Sequence, residues 1–358
     1  MRLPARATAA TVPVGPRLAT VTLTETPRSA GAEDPDPPVM GLRALGPGPA
    51  VESQLLLGGP LESKAIVPMP FFRPSWSGDG SLLAFVGSSG RDRRIYTVAA
   101  DGSGLRAVAG TSGGSDPVLS PNGRTLAFAR TRLRTHVNPH CKHFNPRCLG
   151  AGRIYSSTTL WIADLGGGAA QRLTPWRNGL DVEPSSFSPD GLTLALTRRQ
   201  RGEDGPQIEL MRVTAGTVTK LVRLGEEPSF SPDGSRIAFV GYRDRDVVHA
   251  EEGHDYTAGE LYTVSTDGTA LRRLTRSRGV LESSPSWDPS GKRLAYISAK
   301  ASHGFDPTLD LLFPTGNSIM QINADGSCAS RLVSERRTAF YGIAWQPGAD
   351  RGAAPIAC

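Results

Sequence analysis

The sequence predicts an all-β protein, a six-bladed β-propeller with four antiparallel strands per blade. Three observations carry that expectation. One phrase recurs: "WSGDGSLLAFVG" (Trp76–Gly87), "LSPNGRTLAFAR" (Leu119–Arg130), "FSPDGLTLALTR" (Phe187–Arg198), "FSPDGSRIAFVG" (Phe230–Gly241), "WDPSGKRLAYIS" (Trp287–Ser298), and a stump, "WQPGAD" (Trp345–Asp350). Each full phrase is followed by a second strand pair around a tight hairpin. The spacing has a base period: the third turn residue moves from Asp79 to Asn122 in 43 residues, then to Asp190 in 68, Asp233 in 43, Ser290 in 57 and Gly348 in 58. Self-similarity at such a period marks an array of units that bury their faces against one another, and four short strands per unit make a propeller blade.

The elements follow in order. Residues 1–38, rich in Ala, Pro and Thr, show no packing pattern and read as a disordered leader. Three strand-like pieces come next, "MGLRALG" (Met40–Gly46), "VESQLLLGG" (Val51–Gly59) and "LESKAIV" (Leu61–Val67). Within a repeat, "SPDG" is a turn: proline pre-sets φ, aspartate suits the third position and glycine closes the fourth. The segment after it, Arg236 to Val240, is apolar on both parities, which a strand shows when both its faces are buried. "GELYTVSTDGTALRRLT" (Gly259–Thr275) then reads as strand, Asp-Gly hairpin and strand. At the C-terminal end only an inner strand remains, "YGIAWQP" (Tyr341–Pro347). The N-terminal pieces have the lengths of its missing outer strands, so they are expected to complete that blade and close the ring without a long free edge. The expected organisation is a leader at 1–38, a propeller at 39–350 and a tail at 351–358.

The P-x-W/F-S-P-D-G…I-A-F…I-Y-V-x-x-x-D-G…R-R-L-T pattern resembles the repeats of the six-bladed TolB-like propeller family, over about residues 39–350. TolB itself carries an α/β domain ahead of its propeller, and prolyl-oligopeptidase relatives add a hydrolase domain; the sequence shows neither. A literal G-x-S-x-G, Gly110 to Gly114, lies in an inter-repeat loop, without the strand–turn–helix that lifts a nucleophilic serine.

Composition bounds the rest. Charged residues make up 21% and hydrophobic ones 38%, which suits a folded soluble domain. No apolar run approaches the roughly 18–20 residues of a membrane span. The net charge of +6 rests on arginines that scatter along the chain, so no nucleic acid partner is expected. Arg130, Arg132 and Arg134 alternate on one side of a strand and read as a solvated strand end. A monomer is expected.

Four cysteines form two candidate pairs. Cys141 and Cys148 bracket "KHFNPR" in the longest insertion; Cys328 follows the hairpin at Asp325-Gly326, and Cys358 is the last residue. Alternating strand directions put the SPDG turns and the Asp-Gly hairpins on one face, where the last inner strand also ends, within reach of Cys328. Disulfides would imply an oxidising, extracytoplasmic compartment, although residues 1–30 lack an apolar signal core. Free thiols stay open as an alternative. So does zinc, through His136, His140, Cys141, His143 and Cys148, in a spacing of no standard module.

The candidate site lies on the opposite face. All three insertions, residues 132–157, 243–258 and 299–316, fall between second and third strands, and they hold all six histidines: His136, His140, His143, His249, His254 and His303. The residues before the inner-strand prolines, Arg73, Asp116, Glu183, Glu227 and Ser284, should ring the channel mouth on this face, with Glu183 offset by one residue. Carboxylates beneath histidine-bearing loops suit a cation, an amine or a polar peptide. The blander reading is that the loops are solvated and the acids cap strand ends. Two function classes follow. One is a non-enzymatic binding or scaffold propeller for a protein, peptide or glycan, with no cofactor. The other is a metal-dependent lyase or hydrolase, which some TolB-like propellers resemble in architecture. No histidine falls on an expected inner strand, which favours binding.

Overall fold

Doubly apolar strands need packing on both faces, and stacked antiparallel sheets supply it. The computed structural model describes residues 17–24, 39–45, 52–60, 67–68, 72–89, 92–136, 153–243, 247–249, 255–277, 279–300, 317–335, 338–348 and 354–358. Every regular element among them is a β-strand. In the fourth repeat the strands Gly225–Phe230, Arg236–Gly241, Glu260–Ser265 and Arg272–Arg273 pair in sequence order, and the fifth repeats this from Val280–Trp287 to Ser330–Ser334. The second and third repeats share one eight-stranded sheet, joined by a single parallel contact between Thr158 and Asp181.

The terminal sheet has the order Thr338–Trp345, Leu18–Thr24, Val39–Leu45, Glu52–Pro60. This corrects one expectation. Residues 18–24, assigned to the leader, form the strand that pairs with Thr338–Trp345. Alternation of Leu18, Thr20 and Thr22 with Ala19 and Val21 carries it, and all five are buried. Of the piece at Leu61–Val67 only Val67 lies among the described residues, and Val67–Pro68 pairs with the second strand of the first repeat.

The core is a series of layers between sheets. Ile237, Ala238, Phe239 and Val240 are at most 1% exposed, as their double parity requires. Phe85 and Tyr96, Phe128 and Trp161, and Phe239 and Tyr262 are direct cross-strand partners and stack at centroid separations of 5.9, 6.4 and 5.5 Å. The terminal sheet packs on both neighbours. Val21, Leu42 and Tyr341 share a cluster with Trp76, Leu83 and Phe85 of the first repeat, and Leu18, Phe340 and Ile343 share one with Ala295, Ile297 and Ile319 of the fifth.

The recurring phrase is a hydrogen-bonding device. Ser77 Oγ donates to Asp79 Oδ1 at 2.6 Å and accepts from Leu82 N at 3.0 Å, while Asp79 Oδ1 also accepts from Ser81 N at 3.0 Å. Ser120 with Asn122, Ser188 with Asp190 and Ser231 with Asp233 do the same. In the fifth repeat the two residue types trade places, and Asp288 accepts from Ser290 and from the backbone of Arg293. A second serine stitches neighbours together: Ser75, Ser186 and Ser286 Oγ accept from Leu119, Phe230 and Trp345 N at 2.9, 3.0 and 3.0 Å. Trp76 Nε1 donates to Ala344 O at 3.1 Å, tying the first repeat to the last strand.

Candidate binding site at the channel mouth

The inner strands line a cavity of about 760 Å³, walled by their Pro-Ser-aromatic segments and by Ile343 to Trp345. At one end the inner strands of the second to fifth repeats and the strand Thr338–Trp345 bulge. Asp116, Glu227, Ser284 and Gly342 hold φ of 49°, 53°, 55° and 56°, at the points where the pairing register slips. Three of the four are not glycine, so the bulge holds a left-handed conformation that a side chain resists. In the third repeat Pro184 occupies the equivalent place, where proline's fixed φ forbids it. This accounts for the one-residue offset of Glu183.

These bulges gather a charged cluster from several repeats. Arg199, on the strand Thr193–Gln200, donates to Glu183 at 2.6 Å and also to Glu226, which in turn accepts from the Tyr242 hydroxyl. Glu227 accepts from Ser284 N, one bulge to the next. The residue that follows Asp116 in this order, Pro184, has no N–H to offer. Burial pushes the Asp116 carboxyl up to about 7, helped by Glu183 and opposed by Arg73 and Arg93. Burial likewise raises Glu227, with Glu226 adding to it and Arg73 opposing. Burial lowers the Arg199 guanidinium, but Glu183 and Glu226 outweigh it, and the net shift is upward. Burial, then Glu226, raises the Tyr242 phenol.

Arg73, Asp116, Glu183 and Glu227 thus belong to one electrostatic cluster. Arg199, Glu226 and Tyr242, its central hydrogen-bonded group, were missed. Their sequence signal was weak, because none precedes a proline; the run "TRRQR" on an otherwise apolar strand was the only hint. Of the histidines, His136 ends the strand Thr125–His136 opposite Arg153, and His249 ends Val247–His249 opposite Asp255. His140, His143, His254 and His303 lie outside the described residues, as do Cys141 and Cys148 and hence that disulfide. Cys328 and Cys358 are bonded, with Cα atoms 5.0 Å apart. Asn323 clasps the same tail, donating to Ile356 O at 3.0 Å and accepting from Ile356 N at 2.7 Å. Within the G-x-S-x-G stretch, buried Thr111 donates to Val108 O at 2.7 Å, a loop-closing bond.

Comparison with known proteins agrees on the fold. No family model matches the chain. It is 26% identical over 201 residues to the protein TolB homolog of Chlorobium luteolum, covering 52% of this chain and 41% of that protein. It is also 26% identical over 246 residues to the Tol-Pal system protein TolB of Francisella tularensis, covering 62% of this chain and 54% of that one. The chain therefore spans about half the length of these curated relatives. The crystal structure of TolB from Acinetobacter baumannii superimposes with a TM-score of 0.62 at 19% identity, over 92% of this chain and 67% of that one. The chain is a TolB-like β-propeller.

Proposed function

We propose that this is a non-enzymatic binding propeller that holds a protein partner on its insertion face. The repeats and the terminal sheet would make six blades, with the N-terminal strands closing the ring. The observation that carries the proposal is the charged cluster at the channel mouth. Asp116, Glu183, Glu226, Glu227, Arg73 and Arg199 come from four repeats and meet beside a preformed cavity. Such side chains on rigid strands fix the orientation of a polar partner segment without an ordering cost. The Francisella relative is named as a protein of the Tol-Pal system, and a role within a protein assembly is the role we carry to this chain. The Cys328–Cys358 bond supports an extracytoplasmic location.

The test is to place photo-cross-linkers at Glu183 and, on the turn face, at Asp101, in protein made in an oxidising compartment. A partner cross-linked at Glu183, and lost without a change in melting when residues 132–157 and 243–258 are shortened, supports the reading. Cross-links only at Asp101 would overturn it. Stoichiometric metal with turnover would move the assignment to a lyase or hydrolase at the same mouth.

A further inference from the structure

The second repeat differs from its neighbours in one respect. Its central strands, Thr125–His136 and Arg153–Asp164, are each 12 residues long, against six or eight in the first, third, fourth and fifth repeats. The pair continues in register from Thr125 opposite Asp164 to His136 opposite Arg153. The inner strand Gly114–Leu119 accompanies it only as far as Arg130, which lies opposite Gly114. Beyond that point residues 131–136 pair on one side with residues 153–158, and among the described residues no strand pairs with their other side. The outer side of Arg153–Asp164 is partly covered, since Ser156 O accepts from Gly179 N at 3.0 Å and Thr158 pairs with Asp181. Residues 131–136 and 153–158 therefore form a β-arm whose edge at 131–136 is open among the described residues, in the lane that Gly114–Leu119 occupies below it.

The arm is also charged in one sense only. From Pro117 to Ala163 the sequence holds no aspartate or glutamate, and it holds seven arginines and lysines, in a chain whose net charge is +6. Arg130 anchors the base: its guanidinium lies 4.2 Å from the Trp161 ring centroid and donates to Gly110 O. Above it, Arg132 is exposed and Leu133 is 69% exposed. An open edge is a template for strand addition. On this arm, like charge repels a second copy of the same edge, while an acidic strand is attracted.

We propose that the edge at residues 131–136 takes an extended, acidic segment of a protein partner as an added strand. This rests on the reading of the insertion face as the binding surface and names the kind of segment it takes. Main-chain hydrogen bonds would supply affinity, and the arginines would select acidic side chains at alternate positions.

The test uses the full chain and a fluorescein-labelled peptide of alternating glutamate and threonine, followed by fluorescence anisotropy. Its companions are the same peptide N-methylated on alternate amides in either phase, a lysine–threonine peptide, and vesicles of phosphatidylglycerol with phosphatidylcholine. The acidic peptide should bind, and one N-methylated phase should bind at least tenfold more weakly. Arg132→Glu with Arg134→Glu should also weaken binding at least tenfold with unchanged melting; Arg132→Gln with Arg134→Gln, which perturbs the arm less, should give an intermediate loss. Equal binding of both N-methylated phases would reduce the effect to charge and overturn strand addition. Vesicle binding without peptide binding, or undiminished binding by the charge-reversed variant, would overturn it as well. A photo-cross-linker at Arg243, in the insertion of the fourth repeat, reads the face independently. Partner cross-links there that survive the charge reversal would leave the insertion face standing and remove only the arm.

Discussion

Arg43 and Glu335 are 292 residues apart and hold each other by two hydrogen bonds, Nη1 to Oε2 at 2.9 Å and Nη2 to Oε1 at 2.8 Å. Arg43 lies on the third strand of the terminal sheet, and Glu335 lies just before the strand that begins at Thr338. The guanidinium is almost buried, whereas the Glu335 carboxylate that Arg43→Ala would leave unpaired is 35% exposed and partly compensated by water. Arg43→Ala should cost about 1.5 kcal/mol in urea unfolding at pH 7. The hydrogen bond from Arg43 holds the Glu335 carboxyl below its usual range. The pair's contribution is therefore complete above the unfolded carboxyl value and fades as pH falls through the lower folded one. The penalty of Arg43→Ala should shrink below about pH 4; a penalty that stays constant to pH 2 would contradict this.

The strand Leu18–Thr24 lies between Thr338–Trp345 and Val39–Leu45, and its loss would expose two strand edges and the Trp76 cluster. Deleting residues 1–24 should lower the melting temperature by more than 10 °C or leave the protein insoluble. Leu42→Ala, at a side chain with no exposure, tests the same layer more gently and should cost about 3 kcal/mol. Calorimetry of both variants checks this, and a deletion that melts like the full chain would refute it.

Cys328–Cys358 encloses 30 residues of sequence separation, including the last inner strand. Unreduced peptide mapping should recover this link. Cys358→Ser should lower stability by about 3 kcal/mol under oxidising conditions. With the wild type reduced, the difference should vanish.

Glu282 on the inner strand of the fifth repeat is 4% exposed and accepts from Thr275 Oγ1 and from Leu261 N. Burial pushes its carboxyl up to about 7, and Glu260 adds to this against the hydrogen bonds. Between about pH 4 and 7 the unfolded chain releases a proton that the folded chain keeps, so stability falls as pH rises through that window. The loss is on the order of 3 kcal/mol and stays constant above it. Glu282→Gln, which keeps an acceptor, should melt with less pH dependence and higher than wild type at pH 8. Parallel melting curves from pH 4 to 8 would rule this out.

The repeat determined a great deal by itself. The Ser-Pro-Asp-Gly turns, the doubly apolar second strands and the Asp-Gly hairpins are local devices, complete within about ten residues, and each was legible. So was the Cys328–Cys358 pair, because strand direction alone puts both ends on one face. Other features depend on neighbours that the chain order does not announce. Leu18–Thr24 is a short, threonine-rich strand among prolines, and it is specified by the buried gap beside Thr338–Trp345 rather than by its own propensity. Arg199 earns its place at the mouth only because Glu183 and Glu226 arrive from adjacent repeats. The left-handed bulges at Asp116, Glu227 and Ser284 are held by the surrounding sheets against local preference. Local hydrogen bonding wrote the repeats into the sequence; the charged mouth exists only where the folded repeats bring distant side chains together.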